Sequence, residues 1–356
     1  MREFGSEHPA ILLPDGYFDS LGNLGREILY LRSGREALLA VALECKNEEN
    51  PVLLMPAYCC WSMSAPFEIA GWKVVYYRLN QDLSVDISYM ENLLEEYYPS
   101  AVLTMNFFGI ASTGQAVSFI KAFDSNITIV EDFSHCMFSI KDIFDERVDY
   151  YVSSIRKSIG VCDGSIILSR KKIEVLVNPY TEEFSDSRVT AQTLKGQYMF
   201  SKSDKDKTKF LSMLRNDEET LNRFDAVHSI SPLAVKMLGL INGEAFAYAR
   251  RENLKHMVSL LKGKIPIPDN IHLLFEGAPF SLPIIVNDQA FIQKRLAENG
   301  VYAAVLWPLS EEAGRVCKNS LFFSEHMLSV PIDQRYTWDD IEDMANIILK
   351  VVDDYE

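Results

Sequence analysis

Tyr150-Tyr151-Val152-Ser153-Ser154-Ile155-Arg156-Lys157-Ser158-Ile159-Gly160-Val161-Cys162-Asp163-Gly164-Ser165-Ile166-Ile167 reads as a strand, a turn carrying a lysine, a glycine-containing loop and a second strand. Lysine between two buried strands is unusual, because its charge is costly to desolvate. Desolvation and neighbouring cations lower a lysine's pKa and make the amine nucleophilic. Arg156 is such a cation if it turns inward. A solvated turn lysine is the ordinary alternative, and this segment alone does not decide between them.

Outward from this segment, short apolar runs alternate with helical patterns. Val52–Met55, Lys73–Tyr77, Ala101–Met105, Ile127–Glu131 and Ser165–Leu168 read as strands, several of them apolar on both faces as buried parallel strands are. Ser64–Ala70 and Ile87–Tyr97 lie between them as helices. The alternation predicts an α/β domain with a mostly parallel sheet flanked by helices. Glu174 to Arg223 is polar, with Ser201 to Lys207 at its centre, and reads as a surface helix and loop. Phe246 to Leu261 follows as a long helix. A smaller α+β unit ends the chain, with strands at Leu282–Val286 and Ala304–Trp307 and a helix over Asp288–Asn299 stopped by Gly300. A last helix starts at Thr337, a good N-cap, with Asp340 at the third helical position and Trp338, Ile341, Met344, Ile348 and Val351 as its apolar stripe. The expected division is 1–240 for the large domain with its N-terminal segment and 241–356 for the small one.

Bulk properties narrow the function classes. A chain of 356 residues, 48% hydrophobic, can bury a large core without staples. A net charge of −15 lacks the basic footprint of a nucleic-acid binder. It leaves room for a phosphorylated ligand, which a local backbone cradle can hold. No apolar run reaches the roughly 18 residues of a membrane span. Met1 to Pro14 lacks a basic-then-apolar leader pattern, so the expected location is cytoplasmic. The six cysteines form no CxxC pair and read mostly as buried thiols; the six histidines form no HExxH, and no metal is expected.

Two further segments carry chemistry. In Leu31-Arg32-Ser33-Gly34-Arg35-Glu36-Ala37-Leu38-Leu39 a short strand, Ile28–Leu31, runs into a helix, and Ser33 and Glu36 have capping-box spacing. A helix N-terminus offers unpaired N–H groups and a positive dipole end to a phosphate, and Gly34 permits close approach. A plain helix cap is the ordinary alternative. In Ile127-Thr128-Ile129-Val130-Glu131-Asp132-Phe133-Ser134-His135 an acid pair ends a buried strand, where α/β sheets bind ligands. A carboxylate there can pair with a protonated ring nitrogen, or it can cap the next helix. His135 is either a cofactor contact or a packed histidine.

Together these segments resemble the DegT/DnrJ/StrS sugar aminotransferases, which depend on pyridoxal 5′-phosphate (PLP) and have fold type I. Ser33-Gly34-Arg35-Glu36-Ala37-Leu38 resembles the family's Ser-Gly-Thr-x-Ala-Leu phosphate loop, and Pro56-Ala57-Tyr58 its Pro-Ala-Tyr. Asp132 and His135 match its Glu-Asp-x-x-Gln/His, and Asp163-Gly164 stand six and seven positions after Lys157 as the acidic residue and glycine do there. Arg250-Arg251-Glu252-Asn253 and Val330-Pro331-Ile332 resemble two C-terminal segments, so the likeness runs from about residue 25 to the end. The resemblance implies a PLP transferase fold of type I and a Schiff base between PLP and Lys157, which then acts as acid and base. It implies pairing of Asp132 with the ring nitrogen, phosphate held at Ser33, Gly34 and Arg35, and Ser153 or Ser154 in contact with the phosphate or the ring hydroxyl. It also implies an aromatic side chain stacked on the ring; the matching position is Cys60, flanked by Tyr58 and Trp61, and Trp61 is the expected residue. It further implies a homodimer that moves an amino group from glutamate to a keto nucleotide-sugar or other small keto compound.

Some positions depart from the family. Val152 stands where the family has a serine, Gly164-Ser165 where it has two glycines, and Ala304-Val305-Leu306-Trp307-Pro308 lacks a histidine often found there. These departures keep two other readings open: a PLP enzyme of the same fold with dehydratase or lyase chemistry, and a non-catalytic protein on that fold.

Overall fold

The computed structural model describes residues 14–109, 112–224, 226–275 and 277–355. The stretch read for a leader, up to residue 13, lies outside them. Seven strands form the main sheet: β1 (Glu27–Leu31), β2 (Val52–Pro56), β3 (Lys73–Tyr77), β4 (Ala101–Met105), β5 (Thr128–Asp132), β6 (Tyr150–Ser153) and β7 (Ser165–Ser169). Their order is β1-β7-β6-β5-β4-β2-β3. β7 runs antiparallel to both its neighbours, and the other pairs are parallel. Every residue of β2, β4 and β7 is buried, which is why these runs are apolar on both faces.

Helices α1 (Gly34–Glu44), α2 (Trp61–Ile69), α3 (Ile87–Tyr97) and α4 (Gly114–Phe123) connect the first five strands. The chain crosses from the β1 edge to β2, runs outward to β3, then returns inward to β4. The strand order therefore reverses at β2, and crevices at such reversals are where open α/β sheets bind ligands.

The polar stretch after β7 forms a helical hairpin, α5 (Glu182–Ser201) and α6 (Asp204–Leu221), where the sequence suggested one helix and a loop. Ser203 ends the turn by accepting from the Asp206 N–H. The small sheet pairs β8 (Ser281–Ile285) with β9 (Met327–Pro331) antiparallel, beside α7 (Gly243–Leu261), α8 (Gln289–Glu298), α9 (Lys318–His326) and α10 (Trp338–Asp353). Thr337 and Asp340 form a complete capping box on α10. Two expectations need correction. Ala304–Trp307 is no strand: Ala304 alone bridges Ser329, and the chain then leaves β9 to bury the Trp307 ring under Tyr58 and His135. Trp338 is not part of the buried stripe of α10; it is exposed and stacks on His256 at 5.0 Å. No helix among the described residues is long and apolar enough to cross a membrane.

The start of α7 is packed to the limit. A Cβ on Gly243 would stand 2.4 Å from Tyr17 Cγ, and Tyr17 is fixed by its hydroxyl, which donates to the Met137 carbonyl at 2.5 Å. Gly243→Ala is expected to destabilise the protein by about 1–3 kcal/mol through overpacking, as a drop in chemical-denaturation midpoint. An unchanged midpoint would mean that Tyr17 yields freely.

Candidate active site

The antiparallel β7 brings three distant segments together. Its register sets Ser165 opposite Leu31 and Ile166 opposite Ser153, so the ends of β1 and β6 meet on either side of its start. Gly164 N–H donates to the Arg32 carbonyl (2.8 Å), and Ser165 Oγ donates to the Ser33 carbonyl (2.8 Å). Between β6 and β7 the chain makes a tight turn, Ile155–Lys157. Ile155 N–H donates to Gly164 O (3.1 Å) and Lys157 N–H to Ser154 O (3.2 Å). The first turn of α1 thereby lies against Ser154. A Cβ on Gly34 would come within 3.0 Å of Ser154 Cβ, so this glycine also serves helix-to-strand packing.

Ser33 caps α1 by accepting from the Glu36 N–H at 3.3 Å. The Glu36 carboxylate does not complete the capping box. It is buried and pairs with Arg32 (2.7 Å) and His228 Nδ1 (2.8 Å), tying α1 to the segment after α6. The leading N–H groups of Gly34 and Arg35 have no acceptor within the helix, as in any first turn.

Gly34, Arg35, Asp132, Ser154, Arg156 and Lys157 line one cleft at the carboxyl edge of the sheet, with Val152, Ser62 and Met63. Asp132 is buried at the end of β5, and its Oδ1 accepts from the Ser134 N–H at 2.8 Å. Ser134 Oγ accepts in turn from the Ser154 N–H at 2.9 Å, joining the acid's loop to the lysine's. Lys157 is exposed at the rim, and its ammonium pairs with no described residue.

The other acid of the pair faces away, since successive strand residues alternate sides. Glu131 accepts from Thr113 Oγ1 at 2.8 Å, and its second oxygen is buried without a partner. Burial pushes its carboxyl up from 4.5 to about 7. The unfolded chain releases this proton near 4.5 and the folded chain near 7, so stability falls across that window as pH rises. The loss is on the order of 3 kcal/mol. Glu131→Gln removes the titration. Its melting temperature relative to the parent is expected to be clearly higher at pH 8 than at pH 5, and a pH-independent difference would refute the assignment.

His135 stacks on Phe280 (4.7 Å) and Trp307 (5.5 Å) and accepts from the Phe108 N–H through Nδ1 at 3.3 Å. Burial, and then the charge of Lys157, push its pKa well below 6.5, so the ring is neutral and carries its proton on Nε2. That Nε2 is buried without a partner, as are Tyr58 Oη and Ser153 Oγ. The Tyr58 ring packs against Phe107, Trp307 and Phe323. Trp61 begins α2, is more than half exposed, and meets Phe224 edge-on. Neither aromatic lines the cleft, where α2 presents Ser62 and Met63 instead. The cleft thus joins Gly34, Arg35, Asp132, Ser154 and Lys157; Ser33 backs it as the cap, and Tyr58, Trp61, His135 and Ser153 stand outside its lining. Sequence reading gave no role to Ser134, which links two loops, or to Arg250, which it quoted only within a C-terminal motif. Buried Arg250 donates to the Ser158 carbonyl at 3.1 Å, directly after the lysine.

No family model matches the sequence, and no curated protein does. Solved structures do match along nearly the whole chain. Helicobacter pylori PseC, an aminotransferase involved in the biosynthesis of pseudoaminic acid, superposes with a TM-score of 0.66 at 14% identity, over 96% of this chain and 93% of that one. A DegT/DnrJ/EryC1/StrS aminotransferase from Brucella abortus gives 0.62 at 13%, over 94% and 89%. Bacillus subtilis NtdA with bound PMP gives 0.65 at 15%, over 95% and 77%. The chain has the fold of these proteins: fold type I, with a mostly parallel seven-stranded sheet between helices.

Proposed function

We propose that the protein is a PLP-dependent aminotransferase acting on a keto sugar or another small keto compound. One observation carries this reading: Asp132, Lys157 and the first turn of α1 at Gly34–Arg35 line a single cleft at the carboxyl edge of a fold-type-I sheet. The donor set suits the cofactor. The N–H groups of Gly34 and Arg35, with the Arg35 and Arg156 guanidiniums, suit a phosphate; the buried Asp132 carboxylate suits a cationic ring nitrogen; the unpaired Lys157 amine suits a carbonyl.

PLP, when bound, supplies a carbonyl that condenses with amines and a protonated ring that withdraws electrons. Asp132 holds the proton on that ring nitrogen, with Ser134 N–H orienting the carboxylate. Lys157 Nζ carries the proton that must move between carbons in amino transfer. Val152 offers the phosphate no hydroxyl, whereas Ser154, on the cleft wall against the first turn of α1, carries one. We assign the large domain to 1–240 and the small domain to 241–356, the location to the cytoplasm and the assembly to a homodimer; the likeness of motifs to the sugar aminotransferases supports the homodimer.

The test is a half-reaction. Purified protein with PLP and L-glutamate should release 2-oxoglutarate, with a shift in an absorbance band that requires Lys157. A lysine-dependent band without amino transfer from glutamate or other amino acids would favour dehydratase or lyase chemistry. No band at all would remove PLP from the account.

A further inference from the structure

A cavity of about 380 Å³ lies between the α5–α6 hairpin and the small domain, and it shares no residue with the cleft around Lys157. That volume falls in the range of small-molecule pockets. Lys195 of α5 forms one wall, the turn from Asn299 to Tyr302 after α8 a second, and one face of α10 a third. Asp340, Asp343, Met344 and Ile347 share that face by helical periodicity.

Four charged side chains line the cavity, two of each sign. Two of them are engaged. Asp333 grips Arg335 with both oxygens at 2.7 Å, and Asp340 accepts from the Thr337 N–H and hydroxyl at 2.8 Å in the capping box. Lys195 and Asp343 form no hydrogen bond or ion pair with a described residue. Partial burial and then the Arg335 charge lower the pKa of Lys195, more than the Asp333 charge restores it. An arriving anion relieves that cost. Val301, Tyr302, Tyr336, Met344 and Ile347 add apolar and aromatic surface beside the charges. One free cation and one free anion on such a lining suit a zwitterion with an apolar body, and they disfavour a phosphate or a dicarboxylate.

We propose that this cavity binds a free α-amino acid with an apolar or aromatic side chain, its carboxylate on Lys195, its ammonium on Asp343 and its side chain against Tyr302, Tyr336, Met344 and Ile347. Both walls also hold the segment after Lys157. Gln192, one turn before Lys195 on α5, donates to the Val161 carbonyl at 2.9 Å, and Gln334, next to Arg335, donates to the Ser158 carbonyl at 3.0 Å. The hairpin wall is tied at its far side, where Glu218 of α6 accepts from Arg35 Nη1 at 2.9 Å, and Lys207 of α6 reaches the Tyr302 hydroxyl. A ligand that joins Lys195 to Asp343 therefore clamps both walls on residues 158–161 and steadies the lysine turn. The site stands whatever chemistry Lys157 performs.

The test titrates L-phenylalanine and L-leucine into the full chain by calorimetry, with 3-phenylpropanoate and 2-phenylethylamine as probes that lack the ammonium or the carboxylate. At least one amino acid should bind, and each one-charge probe about tenfold or more weakly. Lys195→Met should weaken the amino acid by a similar factor and leave 2-phenylethylamine unchanged. Asp343→Asn should weaken it likewise and leave 3-phenylpropanoate unchanged. Both residues stand outside the cleft, so an amino acid held in the cleft would bind both variants as it binds the parent. That result, or no binding of either amino acid, overturns the proposal. Hydrogen exchange across 158–161 should slow with the amino acid bound, and unchanged or faster exchange overturns the clamp. A missing PLP band in the same proteins counts against the cofactor reading alone.

Discussion

Lys157→Ala is expected to lower amino-transfer turnover by about 10³-fold or more, within or beyond the range for loss of a positioned acid–base group. The variant should fold as the parent does. The Lys157 side chain is exposed and pairs with no described residue, so its removal falls among surface changes worth about ±0.5 kcal/mol. The turn is held by its backbone, through Ile155 N–H to Gly164 O and Lys157 N–H to Ser154 O. Activity and stability therefore separate. 2-Oxoglutarate release with glutamate should collapse while the denaturation midpoint stays, and PLP retained by the variant should lack the lysine-dependent band. Turnover within tenfold of the parent would end the assignment of Lys157.

The largest effect on stability is expected at Arg250, whose replacement by methionine should cost about 3–5 kcal/mol. Its guanidinium is buried and has lost solvation, which lowers its pKa to about 10. In place of water it has four protein acceptors: Gln334 Oε1 at 2.8 Å, Pro279 O at 3.1 Å, Phe280 O at 3.3 Å and Ser158 O at 3.1 Å. Methionine fills much of the space but leaves those acceptors buried and short of donors. The Ser158 carbonyl keeps one bond, from Gln334 Nε2 at 3.0 Å. Arg250 thus ties α7 and the entry to β8 to the residue after Lys157, and both stability and the order of the lysine turn should suffer. Urea unfolding measures the first. A loss below about 1 kcal/mol would mean that water reaches these carbonyls.

The inner sheet was legible because strands such as Ala101–Met105, matched residue for residue, are buried on both faces and read as unbroken apolar runs; the edge strand Lys73–Tyr77 also matched, though only its end is buried. Helix starts were legible where a side chain caps them, as at Thr337 and Asp288. Ala304–Trp307 misled because its apolar residues serve an aromatic cluster around Tyr58 and His135, and apolar content alone does not separate a packed loop from a short strand. The cleft's line of Gly34, Asp132 and Lys157 followed from motifs in order. Glu218 did not, because it lies in a charged helix that reads as a solvated surface. Its meeting with Arg35, across 183 residues of chain, depends on how the hairpin folds back. Arg250 sits on a helix otherwise amphipathic in pattern, and nothing local marks a buried cation.

The direction of β7 has a consequence for synthesis. β1 is an edge strand, and β7 is its one neighbour in the sheet. A nascent chain therefore emerges with β1 unpaired and keeps it so until Ser165–Ser169 has left the ribosome. The first turn of α1 cannot be set against Ser154 before then. Residues 52–132 can align β2 to β5 meanwhile, but the anion cradle and the lysine turn appear together, in one late step, when β7 is inserted. Any cofactor capture during synthesis waits for that strand.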